Sequence, residues 1–157
     1  MRQAPNLVLS LQDFNLATLT APAQEIIESF NDVPDSSKLE LLLEYANSLP
    51  DLPIKYAEHP DLLERVEECQ SPVYLFVELE NDLVSIYLTA PLEAPTTRGF
   101  ASLLQLALDQ QTMTAVLDFD ESFVSNLGLT QLVSPLRIRG MQGMLTRIKR
   151  QVRERSS

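Results

Sequence analysis

A chain of 157 residues, 45% of them hydrophobic and none of them Trp, has the length of one compact folding unit with a single core. No apolar run approaches the roughly 18 residues that span a bilayer. The N-terminus also lacks the basic start and small-residue cleavage pattern of a secretory signal, so a cytoplasmic protein without membrane association is expected.

One cysteine excludes an intramolecular disulfide, and one histidine excludes the usual zinc and iron spacings. The formal charge of −10 is unevenly placed: 5 basic and 21 acidic side chains over residues 1–136, against 7 basic and 1 acidic over residues 137–157. The acidic body repels the phosphates that such a tail would attract, so no nucleic acid is expected. A solvated helix face and an acidic protein partner are the readings left open.

Residues 1–20 mix apolar and polar types without period and read as an N-terminal extension. Pro22 suits the first turn of a helix that buries Ile26, Ile27 and Phe30 and ends near Asn31. Ser37 and Glu40 have capping-box spacing, and Leu39, Leu42, Leu43, Ala46 and Leu49 recur at helical intervals, which predicts a helix over 37–48. Leu49-Pro50-Asp51-Leu52-Pro53 stops it. Val73 to Leu79 and Leu83 to Thr89 are β-rich runs joined by Glu80-Asn81-Asp82, a hairpin, with a third antiparallel strand expected from Leu63 to Val66.

Phe100, Leu103, Leu104 and Ala107 mark a helix from about Thr97, and shorter helical pieces are expected over 112–117 and 121–127, the latter ended by Gly128. Ser134 and Pro135 start a final helix whose apolar stripe is Met141, Met144, Leu145, Ile148 and Val152, with its basic residues mainly on the outer face. Helices, then a small three-stranded antiparallel sheet, then helices again define an α+β fold with helices on one side of the sheet.

A lone cysteine is most often a small buried hydrophobe. Cys69, however, sits in the polar stretch Glu67-Glu68-Cys69-Gln70-Ser71-Pro72 at the mouth of the hairpin, and loops at strand ends are common seats of chemistry.

Cys69-Gln70-Ser71-Pro72-Val73-Tyr74 resembles the SufE motif of Cys-Gln-Ser followed by a polar residue, Val and an aromatic. Three further blocks resemble that family in order: Leu49 to Pro53; Arg98-Gly99-Phe100; and Leu127-Gly128-Leu129 with Ser134-Pro135-Leu136-Arg137, Gly140-Met141 and Met144. The resemblance covers about residues 23–153 and implies a single SufE-like domain over 21–157, with a sheet similar to that of the IscU/NifU scaffolds and the active cysteine in a loop near the sheet edge.

It also implies that Cys69 takes a persulfide sulfur from a SufS-like cysteine desulfurase and passes it to a SufBCD-like iron–sulfur scaffold. Pyridoxal phosphate belongs to the desulfurase, and this chain holds no cofactor beyond a transient persulfide. Arg137 matches the family's active-site arginine and would favour thiolate and persulfide anions; a plain helix-surface charge is its other reading. One thiol can carry sulfur, whereas a cluster needs several thiolate ligands.

Two departures stand out. Glu68 replaces the family's usual Gly, which strains the backbone if that position is left-handed, and with Glu67 it should raise the thiol pKa. Pro72 replaces a polar residue and stiffens the loop. A SufE-like binding regulator whose Cys69 transfers poorly is therefore the alternative, and an unrelated thiol redox protein lacks a resolving cysteine. His59 reads as a solvent-facing loop residue, Glu93 as a donor-docking or merely solvated carboxylate, and Met141 and Met144 as core. A homodimer is compatible with the chain, though no residue pattern marks an interface.

Overall fold

Thr20 and Pro22 start the first helix, α1, Ala21–Asn31. The Thr20 hydroxyl accepts a hydrogen bond from Ala23 N at 3.2 Å, and Ala23, Ile26, Ile27 and Phe30 are buried as their spacing requires. The computed structural model describes residues 19–156, so the extension expected over 1–20 lies outside the described residues except for Leu19 and Thr20, both buried.

Helix α2 spans Asp35–Ala46 and does not use the capping box expected at Ser37 and Glu40. Pro34 holds the N-cap position without a side-chain cap. Asp35 supplies the acidic first turn instead, its carboxylate accepting from Lys38 Nζ at 2.9 Å. The buried line is Lys38, Leu42 and Ala46, four residues apart; Leu39 and Leu43 fall beside it and are 40% and 41% exposed, contrary to the expected stripe. A short helix α3, Ile54–Ala57, and a 3₁₀ turn at Pro60–Leu62 lead to the sheet.

Strands β1, Glu64–Arg65, β2, Tyr74–Glu80, and β3, Leu83–Thr89, form an antiparallel sheet in that order. Asn81 and Asp82 turn the hairpin with φ of 55° and 67°, the left-handed pair that a two-residue type I′ connection needs and that Asn and Asp tolerate. The register pairs Leu75 with Leu88, Val77 with Ile86 and Leu79 with Val84, which puts the apolar residues of both strands on one face.

Two long helices cover that face: α4, Pro95–Leu108, lies against β3, and α6, Pro135–Arg155, against β2. The outer edge of β3 is closed by residues 109–111, with Val84 N donating to Gln111 O at 2.8 Å and Ile86 N to Asp109 Oδ1 at 2.8 Å. On the opposite face Tyr56 of α3 packs on Phe76 and Tyr87 with ring centroids 5.1 and 5.0 Å away, and Arg155 lies over the Phe76 ring.

After α4 comes α5, Met113–Leu117, capped by the Thr112 hydroxyl. The single piece expected over 121–127 is instead two 3₁₀ turns, Glu121–Phe123 and Ser125–Leu127, ended by Gly128 at φ 72°. Ser134 caps α6 by accepting from Arg137 N at 3.3 Å, and Met141, Met144, Leu145, Ile148 and Val152 are all buried. The basic residues of α6 do not all face solvent: Lys149 is buried and donates to Phe119 O at 2.5 Å.

Two sequence blocks turn out to be one piece of structure. Arg98 donates to Ala46 O at 3.1 Å, Ala90 O at 2.6 Å and Leu49 O at 3.4 Å, so it satisfies carbonyls around the end of α2 and the Leu49-Pro50 segment. Its neighbour Gly99 lets α4 touch α2, because a Cβ there would stand 2.7 Å from Leu42 O. Gly99→Ala gains up to about 1 kcal/mol of helix propensity but loses roughly 1–3 kcal/mol to overpacking. The expected outcome is a net loss of stability, read as a lower urea midpoint with an unchanged slope.

Candidate functional site

Two backbone hydrogen bonds place Cys69 at the end of the sheet. Val66 N donates to Val73 O at 2.9 Å, continuing the β1–β2 pairing, and Cys69 N donates to Val66 O at 3.1 Å, making residues 66–69 a turn. The turn lies on α6 at Gly140 and Gly143, three residues apart and therefore on one helix face. A Cβ at Gly140 would be 3.0 Å from Cys69 Sγ, and one at Gly143 would be 2.7 Å from the Glu68 carboxylate carbon. Two helix-interior glycines cost about 1–2 kcal/mol relative to Ala, and what they provide is this groove for the Cys69 sulfur and the Glu68 side chain.

Glu68 does not strain the loop. It is absent from the left-handed non-glycine residues, which among the described residues are Asn81, Asp82 and Gln110. Its carboxylate runs along Gly143 and accepts from Arg147 Nε at 3.0 Å. Arg147 also pairs with Glu64 at 2.6 Å, and Glu64 in turn takes Arg150 and, at 2.8 Å, Gln151 Nε2. The Gln151 carbonyl accepts from Val77 N at 2.8 Å, where β2 runs past the end of the two-residue β1. A continuous polar chain thus joins the cysteine loop to the sheet edge along one side of α6.

Cys69 itself is 7% exposed. Burial, and then the Glu68 carboxylate, push its thiol up to about 11 from an ordinary 9.0, against the downward pull of Arg147 and Arg65. The Arg147 hydrogen bond holds Glu68 below the usual carboxylate range, so the charge beside the thiol persists at neutral pH. The sulfur borders a cavity of about 40 Å³ lined by Gln70, Ser71, Thr97, Leu136, Arg137 and Gly140. That space exceeds the roughly 10–15 Å³ that one water centre requires.

The two residues singled out from sequence, Cys69 and Arg137, therefore meet at one cavity, with Arg137 coming from the exposed first turn of α6. Among the described residues no side chain pairs with the Arg137 guanidinium. The cations that act on the resting thiol are others, Arg147 and Arg65, which sequence reasoning did not single out. The available signal was Gly140, Gly143 and Arg147 at helical spacing in a basic helix, facing a loop with two consecutive carboxylates. His59 and Glu93 are exposed and line no part of the cavity.

An α+β domain that buries its one cysteine against the second turn of a long helix, near an arginine with no partner among the described residues, places a thiol at the centre of the candidate site. The family model for SufE, the Fe-S metabolism associated domain, matches residues 24–152. A SufE-like protein of Mycobacterium tuberculosis is 50% identical over 139 residues, covering 88% of this chain and 96% of that one. The SufE-like protein 1, chloroplastic/mitochondrial, of Arabidopsis thaliana is 29% identical over 78% of this chain and 32% of its own.

The solution structure of a hypothetical protein from Thermus thermophilus superposes with a TM-score of 0.77 at 34% identity, covering 88% of this chain and 98% of that one. The chain belongs to the SufE family, and its role lies in iron–sulfur metabolism.

The raised thiol pKa gives a direct expectation. Below about pH 9 both folded and unfolded thiols are protonated; between about 9 and 11 the unfolded thiol ionises while the folded one does not, so stability falls across that window. Iodoacetamide alkylation of the folded protein, followed against pH, should accordingly have its midpoint near 11. A midpoint at 9 or lower would contradict the buried resting state.

Proposed function

We propose that Cys69 accepts a persulfide sulfur from a SufS-like, pyridoxal-phosphate cysteine desulfurase and passes it to a SufBCD-like iron–sulfur scaffold. The observation that carries the reading is the meeting of the chain's one thiol with Arg137 at a small cavity, in a member of the SufE family. The cytoplasm suits such a carrier, because glutathione and thioredoxin keep thiols there reduced. Among the described residues no helix is long and apolar enough to cross a membrane.

In the transfer, the Cys69 thiolate attacks the outer sulfur of the donor persulfide. A new S–S bond forms at Cys69 as the donor's S–S bond breaks, and the donor cysteine leaves as a thiolate that takes up the proton Cys69 gave away. One sulfur changes hands and no outside oxidant or reductant is consumed. The added sulfur would stand about 2 Å beyond Sγ, on the cavity side. There Arg137 and the positive end of the α6 dipole favour an anion, whereas burial and Glu68 disfavour one at Sγ itself. Arg137 thus acts on the persulfide more than on the thiol.

The second reading is a regulator that docks on a desulfurase or scaffold without transferring, and the buried, protonated resting thiol favours it. Incubation with a pyridoxal-phosphate cysteine desulfurase and free cysteine, followed by intact mass measurement, separates the two. The carrier reading expects one added sulfur on the wild-type chain and none on Cys69→Ser, with docking retained because an interface extends far beyond one side chain. Complex formation without added sulfur or stimulated desulfurase turnover would select the regulator.

Arg137→Ala should slow transfer about tenfold, the equivalent of one pKa unit of lost anion stabilisation, while changing donor affinity little. Single-turnover transfer rates and a binding isotherm measure the two effects separately.

A further inference from the structure

Residues 67–72 carry the reactive sulfur, yet few ties hold them down. Their backbone bond from Cys69 N reaches only to Val66 O, on the residue just before the segment, which itself pairs with Val73. Among the described residues, the ion pair of Glu68 with Arg147 is the one side-chain polar contact that joins 67–72 to another element. Cys69 is buried at rest with its sulfur turned onto α6 at Gly140, so attack on a persulfide held by another protein calls for the segment to leave the α6 groove.

The pair is built to let go. Its partners keep 35% and 21% of their side-chain surface, so water screens part of their attraction. Arg147 is also not stranded when Glu68 departs, because Glu64 holds the same guanidinium at 2.6 Å. The usual penalty for breaking a partly buried pair, an uncompensated charge, is therefore absent on the helix side. On the loop side Glu68 moves towards water.

We infer that Glu68 is a positioning residue: its pair with Arg147 latches the Glu68-Cys69 segment into the Gly140 and Gly143 groove, and opening that latch presents Cys69 to the sulfur donor. The inference rests on the carrier reading for its purpose, but the latch can be observed without any donor. It also gives Glu68 a role that its proximity to the thiol obscures. The carboxylate that suppresses the resting thiolate leaves the groove together with the cysteine.

The test compares wild type with Glu68→Gln and Glu68→Ala, using the full chain in three measurements. Amide hydrogen exchange at Cys69 should quicken about fivefold in both variants, the order expected for loss of one partly exposed ion pair, while the β2 and β3 amides keep wild-type protection. Iodoacetamide alkylation against pH should show a lower midpoint, from the lost negative charge, together with a higher limiting rate above it, from the opened segment. A merely structural loss would quicken exchange in the sheet as well, whereas the midpoint, set by the lost charge, moves under either role.

Persulfide uptake from a cysteine desulfurase should keep or exceed the wild-type rate in Glu68→Gln. Unchanged Cys69 exchange and an unchanged limiting alkylation rate overturn the latch, whatever happens to sulfur uptake. Faster exchange with no sulfur on wild type or variants sustains the latch and overturns the carrier reading instead.

Discussion

The contact between the cysteine turn and the glycine face of α6 sets most of what is particular to this molecule. Helix α6 is the longest element and runs beneath β2, so whatever lies on its first turns is fixed relative to the core. Gly140 lets the Cys69 sulfur and the backbone beside it come within van der Waals distance of that helix, and Gly143 makes room for the Glu68 side chain. From this one approach follow the burial of the thiol, its raised pKa, the position of the Glu68 carboxylate over Arg147, and the placing of Arg137 across a small cavity from the sulfur. With side chains at either glycine the turn would be displaced, and each of these properties would change with it.

The charge asymmetry of the chain takes a different meaning in this light. An acidic body and a basic tail, seen in one dimension, suggest an external partner or a solvated face. In three dimensions much of that opposition is internal: Arg147 and Arg150 meet Glu64 and Glu68, Lys149 meets Glu121 and a carbonyl, and Arg150 also pairs with Glu154 along its own helix. Such partly exposed pairs contribute modestly to stability one by one. Their value is in register, since they fix the loop before β2 and the edge of β2 against a particular turn of α6. The basic residues left over at the start of the helix, Arg137 and Arg139, are exposed at the cavity end.

Much of the fold was legible because its signals are local. Alternation in Val84, Ile86 and Leu88, the turn at Asn81-Asp82, Pro22 in the first turn of α1, the Ser134 cap and the left-handed Gly128 are each decided by residues within a few positions of one another. The errors arose where a distant partner overrode a local pattern. Asp35 and Lys38 start α2 ahead of the Ser37 capping signal, and Lys38, reaching toward Gly128, takes an inward place that periodicity assigned to Leu39. At the site, Cys69 and Arg137 could be named from motif blocks, but the Arg147 pair could not, because it joins residues 79 positions apart.

The same distance between sequence and geometry bears on the proposed carrier role, in which one cysteine must both guard and give up a sulfur. A thiol that is easily ionised is quick to accept, and equally quick to be oxidised or alkylated by whatever else arrives. Here the two demands fall on different places about one S–S bond length apart. At Sγ, burial and Glu68 keep the proton on; at the position the next sulfur would occupy, Arg137, Thr97 and the first turn of α6 provide a setting for negative charge. An empty Cys69 is thereby quiet, and a loaded one would be held by groups that do little for the empty state. What remains is a route from solvent to Sγ. The polar ties across that route are a short turn closed on Val66 and the Glu68–Arg147 ion pair, and these are where the proposed latch acts.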